Sequence, residues 1–395
     1  MNSQPQLFTR DFVTVCLATL FSSAAQYLVL TAIPLYLRQL GLPDALVGGY
    51  VGLFALGALV TRFPVGAAID RLGARLFGIG GTGVLGVACL LYALVPIVPL
   101  QIPFAAAVPL LLPIAGLAHS VGFSGYGTSA NAFVAYAVPA PRRGEAVAYF
   151  GVLMNVAMSI GGGTSFLIVA AWGFVPLLGI AATMAGLSAL LWSTLHHTPR
   201  MDPRDSSRSK SGIETRVLVP ALANTALAAS NGAALAFIPL LGLDRGIGNP
   251  GLYFSAVALM SILSRLFLGR FADLWGRFAS IIPGMLVAGV GYALVSYASS
   301  DQGLALAGAV VGMGTATAAP ALQALAIDLA GPSRRGAAMA TFMAMVDLGV
   351  SVGSIAAGQI APAVGYGGVF IAASAAPLLG LGGIAFLIRS RLSYR

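Results

Sequence analysis

The stretch "TRFPVGAAIDRLGARLFG", Thr61–Gly78, decides how this chain must be read. It sets three arginines and an aspartate (Arg62, Asp70, Arg71 and Arg75) around Gly66 and Gly73, in a chain of which only 8% is charged. A second stretch, "SRLFLGRFADLWGRFASI", Ser264–Ile281, repeats the skeleton. Arg265, Gly269, Asp273 and Gly276 stand where Arg62, Gly66, Asp70 and Gly73 stand, at a constant offset of 203 (265 − 62), and Arg277 follows. Four positions held in register argue for duplication rather than chance.

Ordinary soluble domains carry roughly 25% charged residues. Here 58% of 395 residues are apolar, more than a soluble fold of this length can hide, so the solvent must be lipid. The 50 glycines and 22 prolines agree, both being commoner in membrane helices than in soluble ones. The net charge of +9 lies in short loops rather than on one continuous face, which argues against nucleic acid. Cys16 and Cys89 sit far apart in apolar runs, with neither metal-ligand spacing nor a disulfide framework. They read as packing residues.

A spanning helix needs about 20 mostly apolar residues. Runs of that kind cover 12–37, 45–69, 76–95, 104–136, 146–171, 176–195, 217–241, 251–271, 278–298, 303–330, 337–361 and 367–388. The expected fold is an all-α integral membrane protein of twelve transmembrane helices. The first run is too long, and lacks the small-residue cleavage site, for a removable signal peptide. Most lysines and arginines fall on one side when the N-terminus is cytoplasmic, so both termini are expected in the cytoplasm. "HHTPRMDPRDSSRSKSGIETR", His196–Arg216, reads as a flexible cytoplasmic linker between a bundle over 1–195 and a second over 217–395.

The halves repeat. "TAIPLYLRQLG" parallels "AFIPLLGLDRG", pairing Pro34 with Pro239, Gly41 with Gly246 and Gln26 with Asn231 at an offset of 205 (239 − 34). "RRGEAVAYFGVLMN" parallels "RRGAAMATFMAMVD", pairing Arg142 with Arg334 and Asn155 with Asp347 at an offset of 192 (334 − 142). Parallel repeats of this kind build two bundles around a midplane cavity, and rocking exposes it to each side in turn.

With these features the chain resembles the major facilitator superfamily over essentially its whole length. The loop after that family's second helix carries a G-x-x-x-D-R-x-G-R-like motif. Gly66, Asp70, Arg71 and Gly73 match it, with Arg75 one position late; Gly269, Asp273, Gly276 and Arg277 match it again. The resemblance implies secondary active transport and a cytoplasmic gate at both copies. Gly66 would let the second helix approach its neighbour closely, and Asp70 would accept from helix-end amides or basic groups when the cavity closes inside. Drug-exporting members carry an arginine in helix four, a glycine–proline pattern in helix five and often an acid in helix one. This chain has "LLLPIAGLAHSVG", "NVAMSIGGGTSF" and Gln26 there. It is most similar to a bacterial efflux branch that includes sugar and metabolite exporters.

Ionisable groups inside lipid are expensive and default to functional candidates. They are Arg62, His119, Arg265 and Asp347, with Asp328 near a helix end. Helices two and eleven face each other in the family. Arg62 and Asp347 are therefore expected either to gate protonation of the carboxylate or to form a static tie. Arg265 faces neutral Asn155 in the repeat, and is structural or an anion contact. His119, the one histidine within a helix, suits proton coupling or a packed, hydrogen-bonded role. Gln26, Tyr27, His119, Tyr126, Asn131, Asn155, Asn231 and Gln323 are candidate cavity residues or polar glue between helices.

No nucleotide-binding Walker pattern, metal-ligand cluster or Ser–His–Asp arrangement occurs in the sequence, and its acids lie singly in distant loops. No enzyme, cofactor or metal is therefore expected. The expected function is proton-coupled export of a drug, sugar or metabolite by a monomer in a bacterial inner membrane. An uptake symporter and a lipid flippase are the alternatives on the same fold.

Overall fold

The computed structural model describes residues 7–98, 108–139, 142–195, 214–268, 276–331 and 334–392. In lipid every backbone N–H and C=O must be satisfied within the protein, which a helix does locally. The described chain forms α1 (Arg10–Gln39), α2 (Asp44–Leu72), α3 (Ala74–Leu94), α4 (Leu111–Ala137), α5 (Arg143–Trp172) and α6 (Phe174–Ser193). A 3-10 turn, Thr215–Val217, leads into α7 (Leu218–Asp244), followed by α8 (Leu252–Leu268), α9 (Arg277–Tyr297) and α10 (Asp301–Ala330). The last helix, Arg335–Leu392, is broken at Gly365 (φ 69°), giving α11 (335–364) and α12 (366–392). Among the described residues nine helical segments are long and apolar enough to cross a membrane, the continuous Ala337–Ala385 of α11 and α12 counting as one, and Leu252–Arg265 is a shorter apolar one. Large apolar side chains point outward, Phe267 79% and Leu379 77% exposed, the inverse of a water-soluble surface.

The chain divides into two compact units, Met1–Ala32 with Gly57–Ser206, and Ile33–Leu56 with Ser207–Arg395. The core of the first gathers Phe12, Val15, Ile69, Phe133 and Trp192. That of the second gathers Leu227, Ile281, Met285, Leu322, Phe342 and Ile384. Hydroxyl groups tie helices within each unit. Ser188 donates to Ala18 O (2.7 Å) in the first, and Ser230 to Ala373 O (2.7 Å) in the second.

The sequence repeat is a repeat of contacts. In the first unit a Cβ on Gly161 would lie 2.5 Å from Ala24 O, and in the second one on Gly353 would strike Ala229 O. The pairs are related by 192 (353 − 161) and 205 (229 − 24), the two offsets read from the sequence. A Cβ on Gly122 would meet Leu85 N and Gly81 O; one on Gly314 would meet Ala288 N and Gly284 O. Only glycine permits these backbone-to-backbone crossings. The helix junctions repeat as well, with positive φ at Gly41 and Gly246, at Gly73 and Gly276, and at Gly173 and Gly365. A Cβ in that conformation is strained.

Candidate transport site and gate residues

The motif residues play several roles. Gly73 (φ 92°) turns the chain from α2 into α3, and Gly276 (φ 86°) turns it into α9, so the second motif glycine serves the backbone. Gly66 faces α4 at an ordinary van der Waals distance. Among the described residues, a Cβ there would meet Thr128 Cγ2, at 4.0 Å. Elsewhere in α2 the glycines are tight, Gly57 against Ser120 in the first unit and Gly48 against Ser354 and Gly358 in the second. Arg75 Nη2 donates to Ser193 O (2.5 Å), placing a cation on the carbonyl end of α6, where the helix dipole favours it. Arg71 is exposed and Asp70 half-buried. Arg277 Nε meets Asp328 Oδ2 at 3.3 Å, joining the start of α9 to the end of α10. Gly269 and Asp273 lie outside the described residues.

Among the polar helix residues, the structure brings Gln26 and His119 together. His119 Nε2 lies 2.8 Å from Gln26 Oε1, and Tyr92 OH lies 3.4 Å from His119 Nδ1, all three side chains being buried. Tyr92 is a partner that the sequence reading missed, since a single tyrosine tip in "CLLYALV" carries no signal of its own. Tyr126 is buried nearby in sequence on α4, and Tyr27 is half-buried on α1. Asn131 and Asn155 turn back on their own helices, donating to Gly127 O (2.9 Å) and Gly151 O (2.8 Å). Such bonds carry a polar group through an apolar helix at little cost.

In the second unit Asn231 is exposed on α7, a helix otherwise mostly buried. Gln323 Nε2 reaches Met339 Sδ at 3.6 Å. Arg265 is exposed on α8, and Asp347 is half-buried on α11. Arg62 is half-buried on α2 within the first unit.

A second missed residue is Glu214, the last acid of the linker sequence. Its side chain is 3% exposed, with Arg334 Nη1 at 2.7 Å from Oε2. Glu214 Oε1 accepts from Arg216 N (3.4 Å), and its own N–H donates to Thr341 Oγ1 (3.1 Å). The Arg334 guanidinium bonded to it holds the Glu214 carboxyl below the usual carboxylate range.

The hydrogen-bonded Gln26, His119 and Tyr92 thus lie within apolar helices, and the charge pairs Arg277–Asp328 and Glu214–Arg334 lie at helix ends. The family model of the Major Facilitator Superfamily matches residues 15–252 and 220–393. An uncharacterized MFS-type transporter of Salmonella typhimurium is 27% identical over 363 residues, covering 91% of this chain and 92% of the relative. One from Burkholderia pseudomallei is 26% identical over 369 residues, covering 90% and 86%. Among solved structures, the nucleoside transporter NupG superposes with a TM-score of 0.73 at 14% identity, covering 96% of this chain and 99% of that one. A POT family transporter in complex with a thioalcohol-conjugated peptide superposes at 0.76 with 13% identity, covering 97% and 96%. Those two likenesses speak for the fold. With repeated six-helix pattern, matching glycine contacts and family model all in agreement, the chain belongs to the major facilitator superfamily of membrane transporters.

Proposed function

We propose that this transporter is a proton-coupled exporter of small organic molecules, working as a monomer by alternating access in a bacterial inner membrane with both termini cytoplasmic. The supporting observation is Asp347, a carboxylate half-buried in the apolar α11, where an ionisable group costs several kcal/mol unless it works or is paired. Arg62 is its proposed partner, and exchange of that partner for a proton is the proposed coupling step. Gln26, Tyr27, Tyr126, Asn131, Asn155, Asn231 and Gln323 are the proposed cavity residues, and Arg265 a contact for an anionic group. The two motif copies are the proposed cytoplasmic gate. Residues 1–195 and 217–395 are the proposed rocking bundles, joined by 196–216.

The test uses everted membrane vesicles with an imposed pH gradient and a panel of uridine, a dipeptide, lactose and a cationic dye. Uncoupler-sensitive accumulation that Asp347→Asn abolishes supports export. Accumulation confined to right-side-out vesicles replaces it with uptake symport, and movement of a labelled phospholipid replaces it with flipping.

A further inference from the structure

The Tyr92–His119–Gln26 chain belongs to one repeat only. Carried across by the offsets that align the glycine contacts, Tyr92 falls on Val295 (295 − 92 = 203), His119 on Val311 (311 − 119 = 192) and Gln26 on Asn231 (231 − 26 = 205). Both valines are buried. The second half thus builds the same crossings with apolar side chains where the first half has a phenol and an imidazole. The fold does not require the polar chain, although burying it carries a desolvation cost.

Its polarity has a consequence. A neutral imidazole donates from one nitrogen and accepts at the other. Placed with Oε1 toward Nε2, the Gln26 amide matches the tautomer that carries its proton on Nε2 and accepts at Nδ1 from Tyr92 OH. The Gln26 Nε2 group is then left buried with no hydrogen-bond partner. Two N–H donors stranded in this way cost roughly 1–3 kcal/mol until an acceptor reaches them. The opposite polarity, with Nδ1 protonated toward Tyr92, would turn the amide over and strand a carbonyl oxygen instead. The tautomer of His119 therefore decides whether the site offers donors or an acceptor.

We infer that Tyr92 and His119 are positioning residues that hold the Gln26 amide with its N–H2 group presented, so that the first unit reads an oxygen acceptor on the cargo, such as a carbonyl or carboxylate oxygen. The cargo half of this inference rests on the reading of the chain as a small-molecule transporter; the polarity of the chain does not.

The polarity is tested without cargo. The protein has three histidines, so His196→Gln with His197→Gln leaves His119 alone for 15N NMR of the purified transporter. The expected spectrum at neutral pH is a neutral ring protonated at Nε2, shifting to mixed tautomers in Gln26→Leu. A ring protonated at Nδ1, an imidazolium, or a spectrum indifferent to Gln26→Leu overturns the inference. For panel compounds that the parent moves, Gln26→Glu exchanges donors for acceptors and should raise KM about tenfold with kcat little changed. His119→Leu should raise KM in the same way by releasing the amide, while the detergent melting temperature reports whether each variant folds. An unchanged KM in a folded Gln26→Glu protein overturns the cargo half. A parent that moves no panel compound counts against the transport reading alone, and the NMR result stands apart from it.

Discussion

The Glu214 carboxylate and the Arg334 guanidinium meet at 2.7 Å although 120 residues separate them. In the first half the corresponding arginine, Arg142, is served locally. Its Nε and Nη2 hold both oxygens of Glu145, three residues on, at 2.9 Å. The second half has Ala337 where Glu145 stands (337 − 145 = 192), and the carboxylate arrives from the end of the linker. The last residues before α7 are in this way tied to the first residues of α11.

Exchanging these charges tests the tie. Glu214→Arg and Arg334→Glu should each lower the detergent melting temperature, and the double exchange should recover most of the loss. The effect is modest because Arg334 is half exposed and solvent screens it. Additive losses would show that the pair contributes nothing.

The pH dependence of that tie follows from its sign. A carboxyl held below its ordinary range by a cation stabilises the fold above the unfolded pKa and loses that contribution as pH falls through the folded one. The melting difference between the parent and Glu214→Gln should therefore be flat from about pH 5 to 8 and shrink only in stronger acid. A difference that disappears near neutrality would contradict the geometry.

Glycine substitutions separate crossings from open surface. Gly161→Ala and Gly353→Ala press a methyl group onto Ala24 O and Ala229 O, and overpacking of this kind typically costs about 1–3 kcal/mol. Gly49→Ala and Gly127→Ala meet nothing within 4 Å and should be neutral or stabilising by up to about 1 kcal/mol, since alanine is the better helix former. Equal melting temperatures across the four variants would sink the repeated-crossing account.

The proposed gate and coupling pair are tested by transport. Asp70→Asn should slow transport strongly while leaving equilibrium binding within several-fold of the parent; unchanged kinetics would reduce the motif to a topology signal. Removing one partner of a fully buried pair costs about 3–5 kcal/mol, and less where, as with Arg62 and Asp347, both side chains are half-buried. If Arg62 and Asp347 pair, Arg62→Gln with Asp347→Asn should be more stable than Arg62→Gln alone yet remain uncoupled. Additive losses would mean that they do not meet.

Orientation is tested by labelling. With Cys16 and Cys89 replaced, a cysteine at Ser207 should resist membrane-impermeant thiol reagents in intact cells and react in everted vesicles. Reaction from outside would invert the proposed topology.

Membrane class and the apolar spans were legible in the sequence because lipid imposes them on composition, and the duplication because its motifs recur at fixed offsets. The offsets 203, 205 and 192 read from loop motifs and helix ends reappear as the offsets of the crossings Gly161–Ala24 and Gly122–Leu85 and their partners. The spacing marks where Gly66 recurs but not what stands opposite, and in the structure Thr128 stands there. His119 was legible as an ionisable residue in an apolar run. Its partners come from α1 and α3, and no local pattern links Gln26, Tyr92 and His119. Glu214 was hidden for a related reason: it read as one more charge in a polar linker until α11 brought Arg334 to it.

The paired glycine crossings each lie wholly within one half of the chain, α1 on α5 and α3 on α4, then α7 on α11 and α9 on α10. Each half therefore carries its own set of backbone-to-backbone contacts. The halves can differ wherever a side chain can be exchanged, but a crossing made of bare backbone offers nothing to exchange. The buried tyrosine and histidine of the first half stand against two buried valines in the second, so the two halves share their backbone contacts and differ in the side chains set between them.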